Sequence, residues 1–142
     1  MTKARSRLFA VAALCASALA ISPMLVHAQS GRLLAKIPFV FHIGDQEFPA
    51  GEYTVSRVTN DNSVIHVSDG GRHSMVTIAI HATRPPENVA KLIFNRYGDD
   101  YFLSEVRWMQ STTALQFLPS SRERELAKRI EPQRIITADK RS

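Results

Sequence analysis

An all-β fold, an antiparallel β-sandwich or partly open barrel of about six or seven strands with one C-terminal α-helix, is what this sequence predicts. Three observations carry it. From Leu33 onward, apolar side chains recur at every second position in short runs. Clusters of Gly, Asn, Asp or Pro interrupt those runs at the spacing of about 8–12 residues typical of sandwiches and barrels. No long helical pattern separates the runs, which excludes a parallel α/β sheet.

The elements follow in order. Ile37, Phe39, Phe41 and Ile43 alternate with Lys36, Pro38, Val40 and His42, so one strand should carry four large apolar groups on one face. Pro38 cannot donate to a ladder and places the start of this strand at a sheet edge. Gly44-Asp45 ends it, and Gln46–Phe48 makes one short pairing before the Pro49-Ala50-Gly51 turn. Glu52–Val58 is the next strand, with Tyr53 and Val55 on one face and Thr54 and Ser56 on the other. Asn60-Asp61-Asn62 turns the chain into Ser63–Ser68, where Val64, Ile65 and Val67 favour β structure. Asp69-Gly70-Gly71 is a hairpin signal leading into Ser74–His81. In that run Val76, Ile78 and Ile80 share one face, and Met75, Thr77 and Ala79 the other. After the loop at Arg84-Pro85-Pro86-Glu87-Asn88 come Lys91–Tyr97 and Tyr101–Trp108, joined by Gly98-Asp99-Asp100. Gln110–Thr113 reads as irregular, and Leu115, Phe117 and Leu118 return to the core or a sheet edge.

Ser120-Ser121-Arg122-Glu123 fits a capping box, in which the Ser hydroxyl and the Glu carboxylate each satisfy a free N–H. The helix it opens should run to about Ile130, because Pro132 stops it. Its apolar stripe is thin: Leu126, Ala127 and Ile130. Glu125 and Arg129 stand at i, i+4 in the favourable order. Arg134–Ala138 can form a last strand, and Asp139–Ser142 should fray.

The N-terminus reads as an address. Lys3, Arg5 and Arg7 precede an uncharged apolar run from Leu8 to Val26 that closes on Val26-His27-Ala28, the plan of a secretory signal peptide cut before Gln29. Pro23 breaks the run where such a peptide turns toward its cleavage site, which weakens the rival reading as a membrane anchor. The expected organisation is a signal peptide at 1–28, an antiparallel β domain at 29–119, and a helix with a charged tail at 120–142. The setting is then periplasmic or extracellular, with no transmembrane span after cleavage. The single cysteine, Cys15, would leave with the signal and take disulfides and cysteine chemistry with it.

Three of the 18 basic residues lie in that segment, so 29–142 carries 15 against 13 acidic. Most of the excess sits in the tail, at Arg122, Arg124, Lys128 and Arg129, while the aromatics sit in the nearly neutral body. A nucleic-acid reader interleaves the two, so nucleic acid is not the expected partner. The tail helix is suited to a weak contact with an anionic surface instead.

Five stretches stand in an order that resembles a known family. They are Ile37-Pro38-Phe39-Val40-Phe41, Pro49-Ala50-Gly51-Glu52-Tyr53-Thr54-Val55, Lys91–Asp99, Tyr101–Val106 and Leu118–Leu126. The chain resembles a family of small exported proteins of unknown function common in acidobacterial genomes. The resemblance implies export and a bacterial envelope setting. It brings no catalytic or binding residue with it.

The remaining motifs give little chemistry. Tyr97-Gly98-Asp99-Asp100 spells a polymerase metal hairpin, but that site needs a third carboxylate and a nucleotide site, and Gly and Asp are ordinary turn residues. His42, His66, His73 and His81 lack metal-ligand spacing. The one cluster worth naming is His42 with Asp45 and Glu47 around a strand end. Ser56, Ser63, Ser68, Ser74 and Ser104 fall on strands without a nucleophile elbow. Tyr53, Phe94, Tyr97, Tyr101, Phe102 and Trp108 either fill a core or line a cavity. The sequence therefore predicts a non-enzyme with no catalytic, metal or cofactor residues. It reads as an exported envelope binding or interaction module whose partner is an unidentified protein or envelope component. The alternatives are a carrier of a small apolar ligand in a barrel-like cavity and, behind it, a small hydrolase or metalloenzyme.

Overall fold

Alternating burial along short strands builds two facing layers. The computed structural model describes residues 31–58 and 63–138. The expected signal peptide with Cys15, the Asn60-Asp61-Asn62 turn and the end of the tail from Asp139 to Ser142 lie outside the described residues. In chain order the elements are β1 (Arg32–Ile37), β2 (Phe41–Ile43), β3 (Gln46–Phe48), β4 (Gly51–Arg57), β5 (Val64–Ser68), β6 (Ser74–Ile78), β7 (Ile80–Thr83), β8 (Lys91–Tyr97), β9 (Asp100–Arg107), β10 (Thr113–Gln116), α1 (Ser121–Ala127) and β11 (Gln133–Ala138). The first sheet is antiparallel in the order β1-β4-β5-β6. The second runs β11-β8-β9-β10-β7, and β2 joins it by a short parallel contact with β9 at His42 and Phe102, carrying β3 on its other side as an antiparallel partner. Among the described residues the architecture is an all-β sandwich with one helix near the C-terminus and no closed barrel.

Leu33, Ala35 and Ile37 of β1, Tyr53 and Val55 of β4, and Ile65 and Val67 of β5 face inward. They meet Leu92, Phe94, Leu103, Val106 and Leu115 from the second sheet. Phe41 sits at the centre, its ring 5.3 Å from Phe48, 5.1 Å from Tyr53 and 5.5 Å from Phe94. Each such side chain, fully buried, stabilises by about 1.5–3 kcal/mol.

The strands are shorter and more numerous than the sequence suggests, because the chain changes sheets inside two runs that read as continuous. The run Ile37–Ile43 breaks after Pro38, which has no N–H for a ladder, so β1 lies in the first sheet and β2 in the second. Its apolar pattern survives: Ile37, Phe41 and Ile43 are buried, and Phe39 stacks on Tyr101 at 3.9 Å. The run Ser74–His81 breaks at Ala79, whose N–H still donates to the Ser63 carbonyl at 2.9 Å. There β6 of the first sheet becomes β7 of the second.

Between β8 and β9 the register slips. Ile93 faces Glu105 and Phe94 faces Leu103, which leaves Ser104 as the extra residue of a bulge. Leu103 and Val106 thereby both reach the core, while Phe102, Glu105 and Arg107 turn to the outer face. Gly98, at φ 64°, allows the tight β8–β9 turn without a Cβ clash.

The helix departs from expectation. Ser120 caps it, accepting from the Glu123 N–H at 3.1 Å. The Glu123 carboxylate does not return to the cap. It accepts from Asn95 Nδ2 at 3.1 Å and from the Tyr97 hydroxyl at 3.3 Å, pinning the helix to the outer face of β8. The helix ends at Ala127 rather than near Ile130, and Glu125 pairs with Lys128 at 2.6 Å rather than with Arg129. Of the expected stripe only Leu126 is half-buried; Ala127 and Ile130 are exposed. Leu118 is exposed as well, whereas Phe117 packs on the core. A helix this short is held by its cap and one buried carboxylate, so Ser120→Ala should cost about 1 kcal/mol, read as a lower urea midpoint.

Candidate interaction surface

The outer face of the second sheet holds a carboxylate with almost no contact with water. Glu105 is 1% exposed, at a position where β9 lies between β8 and β10. Arg84 reaches it from the end of β7, with Nε at 3.3 Å and Nη2 at 3.1 Å, one to each oxygen. Arg107 donates its Nε, Gln116 its Nε2 at 3.4 Å, and Arg134 of β11 stands 3.8 Å away. Arg107 Nη1 also donates to Glu87 at 2.7 Å, and Glu87 takes Lys91 as well. Burial alone would push the Glu105 carboxyl up. The hydrogen bonds and charges of Arg107 and Arg84 outweigh it and hold the carboxyl below the usual glutamate range. Glu87 is likewise drawn down, chiefly by Lys91.

None of these residues stood out in the sequence as a site. The available signal was an acid inside the apolar strand Phe102–Val106, with Arg107 beside it and the Arg84 loop upstream. Spacing does not bring Arg84 and Glu105 together; the sheet switch at Ala79 does. The network's carboxylates are already matched by cations, so its chemistry is that of a polar clamp over the sheet.

The histidines are scattered. His42 is buried and stacks on Phe102, with Nε2 at 3.4 Å from Glu47 and Nδ1 at 3.4 Å from the Tyr101 carbonyl. The structure thus pairs two members of the His42, Asp45 and Glu47 cluster and leaves Asp45 out. No group of three or more His, Cys, Asp or Glu able to hold a metal occurs among the described residues. His66 Nε2 lies 2.7 Å from the Ser74 hydroxyl, a contact of nucleophile-and-base length on the solvent face of β5 and β6. The nearby His73 instead bonds Asp69 at 2.8 Å, which, with the Gly71 N–H, draws the Asp69 carboxyl down. Ser74 and His66 therefore lack the orienting acid that a triad needs.

The aromatics divide. Tyr53, Phe94 and Trp108 belong to the core, whereas Tyr97 and Phe102 form a small second cluster with His42 on the outer face of the second sheet. Arg57 stacks on Trp108 at 4.0 Å, and burial draws its guanidinium below its ordinary pKa. In the tail, Arg122 pairs with Asp100 at 2.6 Å, and Arg124 Nη1 donates to the Pro119 carbonyl at 2.8 Å. Much of the basic helix face is thus already engaged. Ile130 lines a shallow depression with Arg96, Gly98, Glu131 and Gln133.

The most open feature is the edge of the first sheet. Val76 is 60% and Ile78 73% exposed on the outer face of β6, and Val58, just past the end of β4, is 54% exposed. No described strand pairs with the free side of β6. No Asp, Glu, Lys or Arg occurs from His73 through Thr83. The other edge strand of this sheet, β1, carries Arg32 and Lys36, charges that discourage strand addition.

No family model, no curated protein and no solved structure matches this chain. No helix among the described residues is long and apolar enough to cross a membrane.

Proposed function

We propose that this is an exported, non-catalytic interaction module of the bacterial envelope, which meets its partner through the β6 edge and the apolar patch beside it. The observation that carries the reading is an uncharged edge strand whose free side meets no described strand and whose outward side chains include Val76 and Ile78. Natural sheets guard such edges with charge, Pro or a covering element, and among the described residues none of these guards β6. Exposed apolar patches of this kind mark interaction sites. The setting rests on the signal-like segment before Gln29 and on the family resemblance. The interior favours a binding surface over a carrier cavity, because Phe41, Phe48, Tyr53 and Phe94 fill the space between the sheets with rings in contact.

Site-specific photo-crosslinking in cells expressing the full chain tests the reading. A photoreactive residue at position 78 should give a defined adduct that a second change, Val76→Lys, abolishes. The same residue at position 34, on the charged β1 edge, should give none. Absence of adducts at 78, or equal yields at 78 and 34, would overturn it. The intact mass of the uncrosslinked protein in the same fractions reports whether the chain is cut before Gln29.

A further inference from the structure

We infer that the occupant of the β6 edge is a second copy of this chain, paired antiparallel about Val76; this rests on the edge reading above and specifies its partner. The backbone decides which groups are on offer. Asp69 N–H donates to the His73 carbonyl at 3.1 Å, and Ala79 N–H to the Ser63 carbonyl at 2.9 Å. In an antiparallel ladder the bonded pairs alternate, so the odd-numbered residues of β6, Met75 and Thr77, spend their backbone groups on β5. Ser74, Val76 and Ile78 then direct N–H and C=O to the free side. The same three residues put their side chains on the solvent face.

This set is self-complementary. A twofold axis at Val76 places Val76 opposite its copy, and Ser74 opposite the second copy's Ile78, each as a hydrogen-bonded pair. The outer faces of the two first sheets become one continuous surface, along which the exposed Val76 side chains meet. Charge selects the antiparallel sense. Arg72 precedes the strand, and antiparallel pairing keeps the two copies of Arg72 about 26 Å apart at ~3.3 Å per residue, well beyond the screening length in physiological salt. Parallel pairing would set them side by side. Geometry closes the assembly, since the chain leaves the sheet at Ala79 and the opposite edge carries Arg32 and Lys36. The product is an isologous pair rather than a filament. Only five residues pair, so the interface falls below the size of tight complexes and the dimer dissociates in the micromolar range.

Sedimentation of the protein purified from cells expressing the full chain tests this. The apparent mass should rise with concentration toward twice that of the protomer by ~100 μM, as expected for a micromolar dissociation constant. Val76→Lys brings two cations together at the axis and should remain a protomer throughout. Val76→Pro removes only an N–H that points away from β5, so it should keep the fold and weaken the dimer at least tenfold. Met109→Lys, away from the edge, should behave as the parent. A parent that stays a protomer at ~100 μM, or a Val76→Lys variant that dimerises like the parent, overturns the second copy as occupant. The two readings fail separately. An adduct at position 78 that Val76→Lys abolishes, but that has the mass of a different protein, keeps the edge and removes the dimer. Absence of any adduct at position 78 in the chain that keeps Val76 removes both.

Discussion

Glu105→Gln should destabilise the protein by about 3 kcal/mol, toward the lower end of what removing one partner of a buried ion pair costs. Gln has the volume of Glu, so the effect isolates charge from packing. The variant keeps one carbonyl acceptor and turns an NH₂ group toward the donors of Arg84, Arg107 and Gln116. The lower end applies because Arg84 is partly solvated and Arg107 keeps Glu87. Urea unfolding at neutral pH measures the difference. The pH dependence has a definite sign. The Glu105 carboxyl in the folded protein lies below the usual value of 4.5, so its contribution is fully present above that value. The contribution is lost as pH falls through the lowered folded value. The parent should therefore lose stability steeply below about pH 4.5, and the Gln variant should show a shallower fall. Equal acid sensitivity in both would mean that other carboxylates, Glu87 and Asp69 among them, dominate acid unfolding.

What the sequence revealed and what it hid have one physical cause. Period-two alternation is local, so the shared face of Tyr53 and Val55 in β4 and the division of β6 into two faces are legible residue by residue, as is the Ser120 cap. A change of sheet is not local. Pro38 announced a break in the ladder without saying that the next residues would join the other layer. Ala79 announced nothing, being a small apolar residue in an apolar run. The bulge at Ser104 was equally silent, and it sends Glu105 outward between two core residues. For that reason the Glu105 clamp could not be read from spacing: Arg84 and Glu105 meet only because the chain has switched sheets between them. The helix departs from its motif for a different reason. The capping box is a local pattern, but a buried tyrosine hydroxyl and an asparagine amide compete for the Glu123 carboxylate, and tertiary contact wins. The edge at Val76 and Ile78 was legible as one face of a strand. That this face looks out to water, on a strand with a described neighbour on one side only, is a property of the whole sheet order.

Phe41→Ala should be the most damaging single truncation, at about 3–5 kcal/mol. Phe41 is fully buried and lies on the short strand β2, which has only three residues with which to hold its place in the second sheet. Its ring meets Phe48 in a stacked arrangement and Tyr53 and Phe94 edge-on. Aromatic pairs of this kind add about 0.5–1.5 kcal/mol beyond area burial, so truncation removes transfer energy and ring contacts together. Collapse around the gap is restricted on both sides. Tyr53 is tethered by its hydroxyl to the Pro49 carbonyl at 2.7 Å, and Phe94 is fixed in the β8 ladder between β9 and β11. A cavity left there should stay open, which places the cost in the upper part of the range. Domains of this kind are held by about 5–15 kcal/mol in all, so this one change can bring the fold close to its limit. Phe39→Ala should cost less, because Phe39 is only partly buried and its ring leans on the outer part of the cluster. Val76→Lys should stay within about 0.5 kcal/mol for the protomer, since that side chain already faces water. Urea midpoints for the three variants must fall in that order, and a Phe41→Ala midpoint close to that of Phe39→Ala would show that β2 is not the keystone of the core.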